Sequence, residues 1–409
     1  MSPLRILSVF LLLLTVPPSA GAQTEESPIT EVLVGMSANI TSQQATALGN
    51  ELAAATGTRT VGSLRYRPVA RLALDGQDLD ATLARLQADP RIAYVEPNYP
   101  IHALAAPLDP ALYTYQWGFR RTAGPQALAR IRDLGATPVI LAIIDTGVDE
   151  RHPELAGRLV PGWDFIDIDA LPRDGHGHGT HVAAIAAAAT FNDLGIAAPF
   201  PGKVMPVRVL GPTGSGTIAD ITDGIDYARL HGARVINLSL GGSSDSLTEH
   251  LAIQAAERAG VVMVAAAGNS AASSDVSPTY PAAYDEVIAV SAWSFADDDI
   301  TYFSDYGPVV ELTAPGEKIY SAFLEGGYQL LDGTSMAAPL VAGTAASVYA
   351  LLLQTDPTLD RVQAAGCVRL ILHASAEDLR EPGRDDHTGF GLVRIDRALE
   401  LAETYQCLP

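Results

Sequence analysis

Three segments of the chain carry side chains that could together perform nucleophilic catalysis. Asp145 follows the apolar run 139–144, and a carboxylate there could accept the Nδ1 proton of a histidine and fix its tautomer. His178 lies between glycines at the start of a helical pattern. Ser335 precedes the helical run 340–353, and backbone N–H groups at a helix start favour negative charge that develops beside them. A serine with a neighbouring base can become a nucleophile, so these residues indicate acyl transfer.

Each segment also has a simpler interpretation when it is considered alone. Asp145 could cap a turn, and Ser335 could be an ordinary helix N-cap. The histidine-rich segment 176–181 could suggest a metal site, but zinc on a helix prefers histidines at positions i and i+4, and no pair has that spacing. Ala337 stands where a nucleophile elbow of the G-x-S-x-G type has glycine, which argues against an α/β-hydrolase.

A fourth polar residue, Asn269, follows the apolar run 261–264. Its amide could point into a cleft and donate a hydrogen bond to an oxyanion. Alone, an asparagine next to Gly268 predicts only a turn. The three reactive residue types occur along the chain in the order Asp, His, Ser, which is one of the known orders of a catalytic triad.

The elements that must position these residues form an alternating pattern of strands and helices. Apolar runs rich in β-branched residues suit strands that are buried on both faces of a parallel sheet. The predicted strands are 139–144, 203–210, 233–238, 261–266 and 287–291, with helices at 178–189, 220–231 and 246–259. The pattern predicts a doubly wound α/β domain of about 300 residues, with a mostly parallel sheet flanked by helices. In such a sheet, functional groups gather at the carboxyl ends of the strands.

A smaller unit precedes this domain. Strand patterns lie at 31–36, 60–74 and 91–95, and helical patterns lie at 42–56 and after Asp78, a predicted N-cap. Two helices between strands in this order predict a split β-α-β sandwich, a small α+β unit of the ferredoxin-like type. The proline-containing segment 105–110 is a candidate boundary and cleavage region.

The first 22 residues predict export. Arg5 gives a basic start, and the apolar run 6–16 is shorter than the roughly 20 residues that span a bilayer. Small residues at 20–22 suit a signal peptidase. We expect cleavage there and secretion, extracellular or periplasmic, with an uncleaved N-terminal anchor as the alternative. In an exported chain Cys367 and Cys407, the only cysteines, are expected to form a disulfide.

Taken together, these motifs resemble the subtilisin family of serine peptidases. Segments 145–147, 178–181 and 333–337 match its catalytic motifs nearly letter for letter, and Gly268-Asn269 matches its oxyanion asparagine. The resemblance covers most of residues 110–395. It implies that Ser335 attacks the scissile carbonyl while His178 transfers the proton. Asp145 would orient His178, and Asn269 would hold the oxyanion together with the Ser335 N–H. The implied activity is that of a secreted serine endopeptidase that forms an acyl-enzyme.

The resemblance also implies a groove for peptide substrates. Its two walls match Gly214, Ser215 and Gly216 on one side and Ser239, Leu240 and Gly241 on the other. A substrate would pair between them as an added strand, and because this pairing ignores side chains, we expect broad specificity. Thr279 stands where many members have glycine at the base of the main specificity pocket. We expect it to make the pocket shallower and to disfavour aromatic P1 residues.

The N-terminal unit, which ends at 94–98, is similar to the family's inhibitory pro-domain. The implied organisation is a signal peptide at 1–22, a pro-domain at 23–105 that inhibits the enzyme and assists its folding, and a subtilisin-like catalytic domain at 106–409. The maturing cut is expected between about 103 and 108. Autocatalytic removal of the pro-domain would then release the active enzyme.

No cofactor is expected for catalysis, and the metal content is unknown. The family often places an aspartate where this chain has Glu154, near a ligand loop that corresponds to 189–194. That loop offers chiefly Asn192 and Asp193. Because calcium requires six or more oxygen ligands, a structural calcium at this position is not favoured, and calcium elsewhere is left open.

Two other classes of protein share parts of this pattern. An inactive relative that serves as a binding module would have a damaged triad, whereas Asp145, His178, Ser335 and Asn269 are all present. An esterase or acyltransferase could use the same triad, but the groove and the pro-segment favour peptides. The net charge of −21 disfavours nucleic acid and anionic membranes as partners. We expect protein or peptide substrates and the chain's own pro-domain as partners, with a monomer as the default state.

Overall fold

The computed structural model describes residues 29–37, 40–103, 116–135, 137–192 and 195–407. The predicted signal peptide, the segment 105–110 and most of the predicted cut region lie outside these residues. Asp193 of the loop considered for calcium also lies outside them.

An antiparallel sheet with two helices packed on it forms the N-terminal unit. Its elements are β1 (Glu31–Met36), α1 (Ser42–Thr56), β2 (Arg59–Ser63), β3 (Val69–Ala73), α2 (Leu79–Gln87) and β4 (Ile92–Pro97). The strand order β2-β3-β1-β4 confirms the predicted split β-α-β sandwich. Asp78 is the predicted N-cap of α2, and its carboxylate accepts a hydrogen bond from Ala81 N at 2.9 Å.

The larger unit continues the alternation of strands and helices that the sequence predicts. The chain leaves the N-terminal unit through β5 (Pro100–Ala103). The elements of the larger unit are α3 (Trp117–Arg121), α4 (Gly124–Leu134), β6 (Ile140–Asp145), β7 (Trp163–Asp164), α5 (His178–Ala187), β8 (Lys203–Arg208), β9 (Ser215–Thr217), α6 (Ile218–Leu230), β10 (Val235–Leu238), β11 (Leu240–Gly241), α7 (Leu247–Arg258), β12 (Val262–Ala266), β13 (Val287–Trp293), β14 (Val310–Pro315), β15 (Ile319–Ala322), β16 (Tyr328–Leu331), α8 (Thr334–Thr355), α9 (Arg361–Ser375) and α10 (Ile395–Thr404).

A seven-stranded sheet lies at the centre of this unit, in the order β14-β13-β12-β10-β6-β8-β7. All six neighbouring pairs are parallel, which confirms the predicted doubly wound architecture. Helices α5 and α8 pack in the hydrophobic core on one face, and α6 and α7 pack in the core on the other. The strands are buried because helices cover both faces, and the carboxyl ends of β6, β10 and β12 lie side by side.

Helix α8 is the central helix of this core. By length and composition it could cross a membrane, but 89% of its most apolar window is buried inside the protein. It begins at Thr334, whereas the sequence pattern placed the helical run from 340 onward. Ser335 is therefore the second residue of the helix and lies in its first turn.

The C-terminal segment is joined to the core by a disulfide. Cys367 on α9 is bonded to Cys407, with their Cα atoms 5.9 Å apart, as the sequence predicts. The bond closes a loop across 40 positions of the chain, and α10 lies within that loop.

Candidate active site

Asp145 and His178 form the first pair of the site. Asp145 is the last residue of β6, and His178 is the first residue of α5. His178 Nδ1 lies 2.7 Å from Asp145 Oδ1, and both side chains are at most 1% exposed. Burial opposes a charge on the imidazole, but the Asp145 charge and this hydrogen bond outweigh burial and raise the pKa of His178. Asp145 therefore makes His178 a stronger base.

The turn before α5 is held by a second carboxylate, Asp174. Its Oδ1 accepts hydrogen bonds from His176 N and Gly177 N, and its Oδ2 accepts from Thr180 N. Thr146 Oγ1 also donates to Asp174 Oδ1 at 2.8 Å. This network fixes the backbone on both sides of His178.

The remaining histidine of this motif, His181, is part of the core. It is fully buried, and burial lowers its pKa to about 3, so it is neutral at physiological pH. Its Nε2 bonds to Gln329 O at 3.0 Å. The described parts of the chain contain no group of three or more His, Cys, Asp or Glu side chains arranged to hold a metal ion. The histidine-rich segment thus serves the Asp145–His178 pair and the core.

Ser335 is held against the end of β10 by a reciprocal pair of hydrogen bonds. Its Oγ donates to Ser239 O at 3.1 Å, and Ser239 Oγ donates to Ser335 O at 2.9 Å. The second bond is explained by Pro339, which lies four residues after Ser335 in α8 and has no N–H to donate to that carbonyl. His178 Nε2 has no hydrogen-bond partner among the described residues, and such catalytic contacts often tighten only when substrate binds.

Asn269 lies just beyond the end of β12 and is tied to the residue before Ser335. Its Oδ1 accepts hydrogen bonds from Thr334 N at 2.9 Å and from Thr334 Oγ1 at 3.0 Å. These bonds fix the amide, and they leave Nδ2 buried with no partner in the described part of the chain. A buried, oriented N–H donor close to a serine hydroxyl is an arrangement that could serve as an oxyanion hole.

The predicted groove is filled by the strand that leaves the N-terminal unit. Strand β5 lies between β9 and β11 in a three-stranded antiparallel sheet. Ala103 pairs with Leu240, and His102 pairs with Gly241 on one side and Ser215 on the other. Gly216 of β9 pairs with Ile101, and Gly214, at φ 72°, turns the chain into β9. The two walls that the sequence predicts therefore lie on either side of an extended peptide segment.

Thr279 lies close to Asn269 in space. A Cβ atom on Gly268 would collide with Thr279 Oγ1, so this hydroxyl lies directly against the loop that carries Asn269. The same hydroxyl donates to Asp305 Oδ2 at 3.2 Å. The structure thus brings Thr279 beside the loop that carries Asn269.

At the position considered for calcium, hydrogen-bond donors of the protein already bond to one oxygen of the Glu154 carboxylate. Glu154 is fully buried, and its Oε1 accepts hydrogen bonds from Ile196 N at 2.9 Å and Tyr328 OH at 2.7 Å. Only Oε2 lacks a partner among the described residues. One free carboxylate oxygen offers little to an ion that requires six or more oxygens.

Several residues that shape this site were not assigned a role from the sequence. Thr146 and Thr334 lie within the motifs 145–147 and 333–337, and they anchor Asp174 and Asn269. Pro339 directly precedes the predicted helical run, and a proline there predicts no contact of its own. No motif surrounds Asp305, so the sequence predicts no role for it.

Comparison with known proteins agrees with this geometry. Residues 136–391 match the model of the subtilase family, Peptidase_S8, and residues 30–98 match the fervidolysin N-terminal prodomain. This chain belongs to the subtilase family and is a subtilisin-like serine protease with a pro-domain, which confirms the resemblance inferred from the motifs.

Relatives with known names are similar over most of the larger unit. Thermitase of Thermoactinomyces vulgaris is 46% identical over 240 residues, which are 58% of this chain and 84% of thermitase. The thermophilic serine proteinase of Bacillus sp. (strain AK1) is 43% identical over 270 residues, 66% of each chain. The crystal structure of fervidolysin from Fervidobacterium pennivorans, a keratinolytic enzyme related to subtilisin, matches with a TM-score of 0.74 and 29% identity over 93% of this chain. This chain spans 62% of the length of fervidolysin.

Proposed function

We propose that this chain is a secreted endopeptidase that hydrolyses peptide bonds through Asp145, His178 and Ser335 and removes its own pro-domain. The observation that carries the proposal is the strand β5. It lies in the groove as an extended peptide and pairs with Leu240, the residue after the one that contacts Ser335. The pro-domain thus approaches the nucleophile in the way a substrate would.

The proposed reaction uses the geometry of the site directly. Ser335 Oγ attacks the carbonyl carbon of the scissile bond while His178 Nε2 accepts its proton. The tetrahedral oxyanion is stabilised by the Ser335 N–H and Asn269 Nδ2. His178 then gives the proton to the leaving amine, and water hydrolyses the acyl-enzyme by the same steps in reverse. Loss of one such oxyanion donor costs roughly 10²–10³ in kcat, a figure that comes from subtilisin itself.

The end of the pro-domain caps two helices of the catalytic unit. Glu96 accepts hydrogen bonds from Leu247 N and Thr248 N, both at 2.8 Å, at the start of α7. Asn98 Oδ1 accepts from Ala219 N at 3.0 Å at the start of α6. Both side chains satisfy helix N–H groups that have no partner within their helix, and these contacts support the pro-domain as an intramolecular inhibitor.

The register of β5 supports a cut close to its end. Ala103 pairs with Leu240, and Ser239, which precedes Leu240, makes the contact with Ser335. Because the two strands are antiparallel, moving from Leu240 to the preceding residue corresponds to moving from Ala103 to the following residue. A cut between Leu104 and Ala105 fits this register and lies within the range expected from the sequence.

The P1 preference is proposed from Thr279. A threonine at the base of the pocket would shorten it, so P1 residues of moderate size should be cleaved better than aromatic ones. Hydrolysis rates of a peptide series that varies only at P1 test this preference. Cleavage that is fastest after Phe and slow after Ala would contradict it.

The deciding experiment compares three full-length precursors by intact mass and by casein cleavage over time. The wild type should lose its N-terminal unit and become active. Ser335→Ala should stay unprocessed and inactive, because it lacks the nucleophile. Ser347→Ala is the matched control, since Ser347 is a buried serine of the same helix whose Oγ donates to Pro199 O, and it should be processed. Processing of Ser335→Ala at the wild-type rate would refute self-cleavage.

A further inference from the structure

A buried carboxylate outside the proposed triad contacts the loop that carries Asn269. Asp305 is 3% exposed, and its Oδ1 accepts hydrogen bonds from Ser270 N at 2.8 Å and Ala272 N at 2.9 Å. Its own backbone N–H donates to Gly268 O at 2.9 Å. The backbone on both sides of Asn269 is therefore bonded to this one residue.

The Asp305 carboxylate lies so close to Gly268 that no side chain would fit at that position. Gly268 has a φ of 121°, and a Cβ atom on it would collide with Asp305 Oδ2. Thr279 Oγ1 donates to that same oxygen. One carboxylate thus joins the Asn269 loop to the threonine proposed to line the P1 pocket.

The loop has no regular element of its own, and besides Asp305 it is bonded through Ala271 N to Phe303 O and through Ala272 O to Tyr306 N. Strand β12 ends at Ala266 and β13 begins at Val287, and residues 267–286 between them contain no helix or strand. The Asn269 side chain is bonded through its oxygen to Thr334. An oxyanion donor must lie within hydrogen-bond distance of the position that the oxyanion will occupy, so small shifts of this backbone would move Nδ2 out of position.

We propose that Asp305 is a positioning residue of the reaction, which acts through Asn269 by fixing the backbone from Gly268 to Ala272. This inference rests on the proposed function, because Asn269 must act as the oxyanion donor. Asp305 has no contact of its own with the reacting atoms in this scheme. Its loss should therefore lower kcat more than it raises KM, since substrate pairs with β9 and β11 elsewhere in the groove.

The test is a double-mutant cycle on mature enzyme with a chromogenic peptide substrate. Asp305→Ala should lower kcat about 10- to 100-fold, part of the loss expected for removing the donor itself. In an Asn269→Ala background the same change should cost less than about threefold, because the donor that Asp305 positions is already absent. Asp305→Asn should keep kcat within about threefold of the wild type, since its amide oxygen can accept both backbone N–H groups.

Controls separate positioning from general loss of stability. Titration of active sites with a serine-directed inhibitor gives kcat per folded molecule. Asp164→Ala is the control, because Asp164 is equally buried and accepts hydrogen bonds from Ile166 N and Asp167 N, but it pairs with Arg208 and lies on the edge strand β7. It should reduce stability and leave kcat per site unchanged. If Asp305→Ala yields no folded enzyme, Asp305→Ser, which retains one acceptor oxygen, should show an intermediate kcat.

The outcomes are distinguishable. Equal costs of Asp305→Ala in the wild-type and Asn269→Ala backgrounds would overturn the inference while leaving the protease function intact. An unchanged kcat in both the Ala and Ser variants would do the same. Absence of any Ser335-dependent hydrolysis in the wild type would instead overturn the proposed function and this inference with it.

Discussion

Glu249 is expected to make the protein less stable as the pH rises. It lies in the first turn of α7, is fully buried, and neither carboxylate oxygen has a hydrogen-bond partner among the described residues. Burial, together with the charges of Glu96 and Asp245, raises the pKa of Glu249 to about 8. The unfolded chain releases this proton near pH 4.5, the ordinary value for glutamate, so unfolding is favoured increasingly between pH 4.5 and about 8.

The magnitude follows from that shift. Each pKa unit corresponds to about 1.36 kcal/mol, so the ionisation of Glu249 should lower the free energy of unfolding by on the order of 5 kcal/mol above pH 8. Glu249→Gln has nearly the same shape and cannot ionise. It should match the parent at pH 4 and exceed its stability by that order at pH 9.

The assay is urea unfolding of the precursor at a series of pH values, in the Ser335→Ala background to prevent self-cleavage. Glu257→Gln is the control, because Glu257 is an exposed residue of the same helix and its replacement should have little effect at any pH. A stability difference between Glu249→Gln and the parent that stays constant from pH 4 to 9 would refute the reasoning. It would mean that Glu249 is charged in the folded state at no cost.

Two further predictions concern the proposed active site and the pro-domain. Burial alone would lower the pKa of His178, but Asp145 raises it overall. The loss of kcat/KM on the acidic side of the pH profile, its acidic limb, should therefore have its midpoint above pH 6.5. Asp145→Asn should move that limb to lower pH and reduce kcat about 10⁴-fold, and an unmoved limb would contradict the assignment. Arg67 of the pro-domain pairs with the buried Asp226 of the larger unit, with its Nε 2.6 Å from the carboxylate. Arg67→Ala should therefore release the cleaved pro-domain roughly 10- to 30-fold faster. Faster release would shorten the lag between cleavage and the appearance of activity, which is the quantity to measure. Arg59 pairs with a carboxylate within the pro-domain itself. Arg59→Ala is therefore the control and should leave that lag unchanged.

Much of the fold can be predicted because parallel strands covered on both faces have a local signature. The apolar runs 203–210 and 261–266 became β8 and β12 with ends shifted by two residues or fewer. The positions of Asp145 and Asn269 followed from this, since both lie at or just beyond the carboxyl end of a predicted strand. The groove walls and the split β-α-β unit were predictable for a similar reason, because each is carried by a short contiguous segment.

The contacts that hold the candidate site in place were not predictable from local patterns. Pro339 is visible in the sequence, but the hydroxyl that bonds to the Ser335 carbonyl belongs to Ser239, 96 positions from Ser335 along the chain. Asp305 lies in an irregular segment without a motif, 35 positions from Ser270, and it accepts a hydrogen bond from the Ser270 N–H.

The sheet order explains why Asp305 and Asn269 nevertheless meet. β12 and β13 are neighbours, so the segments that follow their carboxyl ends run side by side. A sequence that predicts both strands therefore predicts that these two segments lie close together. It does not predict which side chain enters the gap, because that choice depends on the absence of a Cβ atom at Gly268 and on the two backbone N–H groups that the turn leaves without partners. Residues of this kind, which act on the site only through backbone geometry, are the ones that motif analysis is least able to find.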